Sequence, residues 1–405
     1  MTRIAHVVLV SAAGEVVGML PPLELSCPFW QESADVVLEA RARFKVQVVV
    51  LRLLGADPSR RAGGVVSYVA ELCSEASDVE LLPVSEALRE TAQRRDPKRM
   101  PWAEPGGPSR SLAWATAALA LGERGELRAV QQRSWNLSSL WRLETTAHAS
   151  AIWLKQVPHF MKHESKVLGW LSGAVPGAGP TVLAADDSGR ILLAHVPGED
   201  LYGAPVAMRQ LILERLHEVQ CAGAAAVDEL IELGAPDLRG SKRAADIARK
   251  LVAWSPNYPG LAELLQGLDH HLARLEECGL PATLVHADNH PGNARWSGAD
   301  VKLLDWGESF VGHPVTDIIG LIQDLPPAEA APLLESWCSG WKAFAPGSRP
   351  EPALESARFI AAMHGAATYA HFLQEIEQSE WPYHREDVAR CLDSAAELLS
   401  RMAAS

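Results

Sequence analysis

Residues 284–317, LVHADNHPGNARWSGADVKLLDWGESFVGHPVTD, constrain this chain more than any other stretch. His286, Asp288 and Asn293 form an H-x-D-x-x-x-x-N array, in which Pro291 and Gly292 supply a turn that returns Asn293 toward Asp288. A short hairpin-like spacer follows. The apolar run 301–304 then reads as a largely buried strand that delivers Asp305 to a cleft, and Gly307 permits a sharp turn behind it. Two acids and an amide converging in this way suit phosphoryl transfer. Asp288 would orient and deprotonate a hydroxyl, while the amide oxygen of Asn293 and the carboxylate of Asp305 would hold Mg2+ on nucleotide phosphates.

These residues resemble the catalytic and metal-binding loops of the aminoglycoside phosphotransferase family, a branch of the protein-kinase-like superfamily. The resemblance implies an α+β, bilobal fold with an antiparallel-sheet N-lobe and a helical C-lobe. It also implies ATP as phosphoryl donor, with GTP left open, and Mg2+ as the metal. His286 would hold the catalytic loop as a structural residue, and Asp317 would brace it.

Further residues take roles by the same resemblance. Lys155, in AIWLKQVP, stands where kinases keep the lysine of the α- and β-phosphates, and Glu164, in FMKHESKVLGWL, is its expected partner. A lysine among Ile152, Trp153, Leu154 and Val157 needs such a partner, because burying it unpaired is costly. Ala194 and Val196, around the P-G turn of 194–198, correspond to the interlobe hinge whose backbone faces the purine. In place of a glycine-rich hairpin the chain has SWNLSS at 134–139, which makes Asn136, Ser138 and Ser139 candidates for the nucleotide loop. Glu308 opens the stretch 308–322 expected to select the acceptor. Two positions depart from the family pattern: Asn289 replaces an apolar residue, and His313 stands where many members have an acid before the proline.

The remaining features set the context. A chain of 405 residues predicts two or three domains. The resemblance divides it into an N-lobe at 127–197 and a C-lobe at 198–405, preceded by a linker with a docking helix at 101–126. A charge-rich, Pro/Gly-rich stretch at 92–110 reads as linker, and 111–122 as the helix. Lys+Arg 37 against Asp+Glu 50 gives a net charge of −13, which argues against nucleic acid or an anionic membrane as partner and suits a cationic small acceptor. Six scattered cysteines, with no C-x-x-C pair, and no apolar block long enough for a signal or a span point to the cytoplasm. A homodimer is compatible with all of this.

Within 1–100, strands at 4–10 and 15–20, a helical face of Val36, Val37, Ala40 and Phe44, and strands at 46–53 and 65–72, the last two separated by a loop with Asp57 and Pro58, predict a small α+β domain. This order, with PWAEPGG near its end, weakly resembles a Nudix fold. The helix EARARFKV carries Glu39 without the further glutamates of a working pyrophosphatase, so the expectation is an accessory role in packing, dimerisation or substrate access.

The expected function is an ATP-dependent O-phosphotransferase for an amino-containing natural product or sugar. Choline, homoserine and sugar kinases share the implied fold, so an antibiotic-resistance role is an analogy. A protein kinase is disfavoured, because the interval between Gly307 and Asp317 is too short for an activation loop. A non-catalytic nucleotide-binding pseudokinase is disfavoured by the joint presence of Asp288, Asn293, Asp305 and Lys155.

Overall fold

A computed structural model describes residues 2–57, 60–76, 79–120, 126–298 and 300–404, and these group into two compact units. Pro58 and positions 121 and 122 of the expected docking helix lie outside the described residues.

The first unit gathers Met1–His159, Leu183–His195 and Phe372–Arg385. It thus joins the expected accessory region and the expected sheet-rich lobe. In chain order it contains β1 (Arg3–Val10), β2 (Val16–Met19), β3 (Leu23–Leu25), α1 (Ala34–Phe44), β4 (Val48–Ala56), β5 (Gly64–Leu72), α2 (Glu86–Gln93), α3 (Gly107–Ala118), β6 (Leu127–Trp135), β7 (Ser138–Thr145), β8 (Ile152–Gln156), β9 (Val182–Ala185) and β10 (Arg190–Ala194).

The first sheet has the order β2-β1-β5-β4, with β3 also paired to β1. β1 runs parallel to β5, and β4 is antiparallel to it. Alternation along β1 feeds two cores. Ala5, Val7 and Leu9 pack with Trp30, Val36, Ala40 and Tyr68 on the α1 side, whereas Val8 and Val10 pack with Val69, Ala92 and Leu88 on the α2 side. A sheet covered on both faces needs apolar residues at successive positions, which explains the unbroken β-branched runs.

The second sheet has the order β6-β7-β8-β10-β9. Ala115 of α3 sits in its core with Trp141, Leu143, Ile152, Leu154 and Leu192. α3 starts at Gly107, within the expected linker. The reason is local: a Cβ at Gly107 would lie 2.1 Å from the Pro101 carbonyl oxygen, and Pro108 occupies the first turn, where a missing N–H costs nothing.

β4 is an open edge of the first sheet, and side chains seal it. The buried Gln131 amide accepts from Val50 N at 2.9 Å and donates to Val50 O at 2.7 Å, copying the bonding of an extra strand. Ser134 Oγ donates to Leu51 O at 3.0 Å, and Glu380 accepts from Leu53 N at 3.1 Å. Beside Glu380, the Glu377 carboxylate meets Arg52 at 3.2 Å and Arg99 at 3.1 Å, all three side chains being nearly excluded from solvent.

The second unit gathers Phe160–Val182, Val196–His371 and Glu386–Ser405. It is mainly helical: α4 (Glu164–Ala174), α5 (Val206–Ala224), α6 (Val227–Glu232), α7 (Ser241–Leu251), α8 (Leu261–Glu276), α9 (Val315–Ile322), α10 (Pro327–Phe344), α11 (Pro350–Glu375) and α12 (Arg385–Ala404). Short strands interrupt it. β11 (Glu199–Asp200), β13 (Ala294–Trp296) and β14 (Val301–Leu303) form one sheet, and β12 (Thr283–Val285) pairs with β15 (Phe310–Gly312). These two small sheets carry the loops of the 284–317 stretch. Among the described residues, no helix is long and apolar enough to cross a membrane.

Candidate active site

β12 ends at Val285, and the chain turns through His286 and Ala287 into Asp288. Ala287 has φ +73°, a left-handed conformation that alanine adopts only under constraint. The constraint is Asp317, in the first turn of α9. Its carboxylate accepts from His286 N and Ala287 N, each at 2.9 Å, and from Gln220 Nε2 at 2.9 Å. Burial pushes the Asp317 pKa up to about 6, against those hydrogen bonds and the nearby Arg243, which pull it down.

Asn293 then closes the loop. Its Nδ2 donates to the Asp288 carboxylate at 2.7 Å and to the Asp288 backbone carbonyl at 2.9 Å. That orientation turns the amide oxygen away from Asp288, as a cation ligand requires. The β13–β14 hairpin pairs Ala294 with Leu303, and Leu304 N donates to Asn293 O at 2.7 Å. Asp305 therefore follows directly on the residue bonded to Asn293. Asp305 is exposed and has φ +62°, a conformation that aspartate tolerates better than most side chains.

His286 is fully buried and bonds the Leu304 carbonyl through Nε2 at 2.8 Å, with its ring 4.4 Å from Trp306. Burial lowers its pKa to about 4, so it is neutral and donates to that carbonyl. Gly307 lies against α4: a Cβ there would sit 3.2 Å from Met161 Sδ and 3.6 Å from Glu164 Oε2. Glu164 itself is buried in the first turn of α4.

The other candidates fall as follows. Lys155 lies on β8 between β7 and β10, paired with Leu140 and Ile191. Its neighbours Leu154 and Gln156 face the α3 side, Gln156 accepting from Ser111 Oγ at 2.7 Å, so Lys155 projects from the opposite face. Ala194 closes β10 opposite Ile152, and Val196 is buried in the second unit. Ser138 Oγ accepts from Trp135 Nε1 at 3.0 Å and Ser139 Oγ from Trp141 Nε1 at 3.1 Å; Asn136 is buried. Glu308 lies in the turn after Gly307. The Tyr369 hydroxyl has its pKa raised first by burial and then by the charges of Asp387, Glu308 and Asp288.

The two departures have structural partners. Asn289 is buried and donates to the Asp317 carbonyl at 3.2 Å. His313 is held neutral, its pKa lowered to about 3 by burial and by Arg243, and its Nδ1 accepts from Val315 N at the start of α9.

Two residues escaped the sequence reading. His290 places Nε2 3.8 Å from the Asp288 carboxylate while its Nδ1 accepts from Gly292 N at 3.0 Å. Tyr202 lies with its ring 6.0 Å from His290 and so close to Gly292 that a Cβ there would come within 2.2 Å of it. The H-P-G-N string offered a signal for His290; nothing in the sequence ties Tyr202 to the loop.

The donors that Asn293 and Asp305 offer are hard oxygens, the kind Mg2+ takes alongside phosphate oxygens and water, and they fit that ion. Among the described residues, no group of three or more His, Cys, Asp or Glu side chains is arranged to hold a metal by itself.

The phosphotransferase enzyme family (APH) matches residues 129–351, leaving 1–128 and 352–405 outside the match. No curated protein sequence matches the chain. Among solved structures, the chain is similar to a putative aminoglycoside phosphotransferase from Ralstonia eutropha (TM-score 0.51, 16% identity, covering 72% of this chain and 97% of that one). It is likewise similar to a macrolide 2'-phosphotransferase from Brachybacterium faecium (0.50, 17%, 70% and 98%) and to a choline kinase from Streptococcus pneumoniae (0.51, 14%, 72% and 99%). At these identities the likeness shows a shared protein-kinase-like fold. With the family match spanning more than half of its length, the chain belongs to the phosphotransferase enzyme family.

Proposed function

We propose that this phosphotransferase moves the γ-phosphate of ATP to a hydroxyl of a small, amino-containing alcohol such as a natural product or sugar. The observation that carries the reading is the bond from Asn293 Nδ2 to the Asp288 carboxylate, next to a hairpin that ends two residues before Asp305. One loop cluster thereby presents a carboxylate for the acceptor hydroxyl and two hard oxygens for magnesium. When bound, Mg2+ would neutralise charge on the phosphates. Asp288 orients the hydroxyl and takes its proton, His286 and Asp317 fix the loop, and Lys155 is the phosphate-facing cation. Backbone groups of Ala194 and Val196 meet the purine, and Ser138 and Ser139 belong to the nucleotide turn. The charges of Asp387, Glu308 and Asp288, all felt at the Tyr369 hydroxyl, favour a cationic acceptor. Six free cysteines suit a reducing, cytoplasmic setting.

The test is nucleotide binding with Mg2+, followed by ADP release over a panel of aminoglycosides, amino sugars, choline, homoserine and nucleosides. Asp288→Ala should lower turnover at least about a hundredfold with nucleotide affinity nearly unchanged. Asp305→Asn should weaken magnesium-dependent nucleotide binding. An Asp288→Ala protein that turns over normally would end the assignment of the base.

A further inference from the structure

The turn between β6 and β7 stands where kinases carry a glycine-rich hairpin, and here it has no glycine. Trp135 pairs with Ser138, so Asn136 and Leu137 alone make the connection. Two-residue hairpin turns are ordinarily stable when a central residue has positive φ, because only then does their twist match that of the strands. Among the described residues, positive φ at non-glycine positions is confined to Lys45, Ala120, Ala287 and Asp305. The turn is therefore not of the self-supporting kind.

Its support comes from elsewhere in the first unit. His384 Nε2 donates to Asn136 Oδ1 at 2.9 Å, with both residues buried. Trp102 Nε1 donates to the Trp135 carbonyl at 3.0 Å. The Trp135 ring packs 5.6 Å from both Tyr383 and His384, and Tyr383 in turn meets Trp30 at 6.1 Å. Regions far apart in sequence thus converge on two residues: Trp30 from the N-terminal sheet region, Trp102 from the stretch before α3, and Tyr383 and His384 from the stretch before α12.

We propose that His384 and Asn136 are positioning residues for the nucleotide, fixing the β6–β7 turn from outside so that the phosphates meet a preformed backbone where protein kinases use a glycine-rich hairpin. The N-terminal region is then a working part of the nucleotide-binding unit. A preformed turn lowers the ordering cost of binding, so its loss should appear in nucleotide affinity and not in acceptor affinity. The inference rests on the ATP-dependent reading above.

The test uses the full-length protein and a non-hydrolysable ATP analogue with Mg2+, with Kd measured beside KM for ATP and for the acceptor. His384→Leu should weaken nucleotide binding about tenfold and leave acceptor KM and kcat within about twofold. His384→Gln, which can still donate to Asn136, should restore binding. Should His384→Leu not fold, His384→Asn, too short to place a donor where Nε2 lies, is read by the same measure. A folded His384→Leu protein with unchanged nucleotide Kd, or a His384→Gln protein as weak as His384→Leu, overturns the proposal. A wild-type protein that binds no nucleotide fails the ATP reading itself, and this inference with it.

Discussion

The Asn293 nitrogen holds Asp288, which leaves its oxygen for the magnesium of the proposed reaction. Asn293→Asp is a discriminating change for that reason. It offers a metal a charged ligand but puts a second carboxylate 2.7 Å from the Asp288 oxygen. Like charges at that distance cannot both ionise freely, so one proton is retained and Asp288 is displaced or neutralised. Turnover in Asn293→Asp should fall about a hundredfold, no less than in Asn293→Ala, even at saturating magnesium. A protein that regains wild-type turnover as magnesium rises would show that the bond to Asp288 is dispensable. At this scale much of the site was legible. Spacing was enough to read His286, Asp288, Asn293 and Asp305 as one cluster, since a turn and a hairpin are all that separate them. The left-handed Ala287 was not legible, because alanine has no preference for positive φ and the Asp317 carboxylate that imposes it comes from another element.

Helix α9 seats the 286–293 loop, and beside the Asp317 bonds Gly320 also lies against it. A Cβ at Gly320 would lie 2.5 Å from the Asn289 carbonyl oxygen, a backbone atom that cannot swing aside. Gly320→Ala should therefore push on the segment between Asp288 and Asn293. The expected result is a loss of about 2 kcal/mol in stability and a larger proportional loss in kcat than in nucleotide affinity. Urea unfolding and steady-state kinetics on one preparation give both numbers; an unfolding midpoint and kcat equal to wild type would disprove the contact. Elements of ordinary length were readable: β1 from its alternation, β4 and β5 from β-branched runs, and α1 from one apolar helical face. β3, β11 and β12 were not, since three residues or fewer carry no period. The start of α3 was hidden for a different reason. A Gly-Gly-Pro string reads as a break, and only the approach of Gly107 to Pro101 shows that it opens a helix.

Across the whole molecule the two units should respond to pH in opposite senses. In the second unit burial lowers His286 to about 4 and His313 to about 3, and it holds His364 well below its usual 6.5. Depressed histidines contribute stability above about pH 6.5 that is lost as pH falls through the folded values. Asp317, raised to about 6, opposes this only between its ordinary 3.8 and 6. In the first unit burial, with Glu377 adding to it, raises Glu380 from 4.5 to about 8. A raised acid contributes stability in full below 4.5 and loses it as pH rises through 8. Glu380→Gln should therefore gain on wild type in melting temperature between pH 5 and pH 9. A constant difference across that range would remove Glu380 from the account.

The sealing of β4 also bears on how the chain is made. Leu53 N finds its acceptor in Glu380, 327 positions later in the sequence. At translation rates of about 5–20 residues per second, that acceptor leaves the ribosome roughly 15 to 65 s after the strand it completes. Until then Arg52 lacks Glu377, and one backbone donor on the edge of a nascent sheet is uncovered. Early termination near the C-terminus, or a frameshift before residue 377, would therefore damage the N-terminal sheet as surely as a mutation inside it. A holdase that protects open strand edges during synthesis should raise the yield of this protein more than that of a relative lacking the N-terminal region.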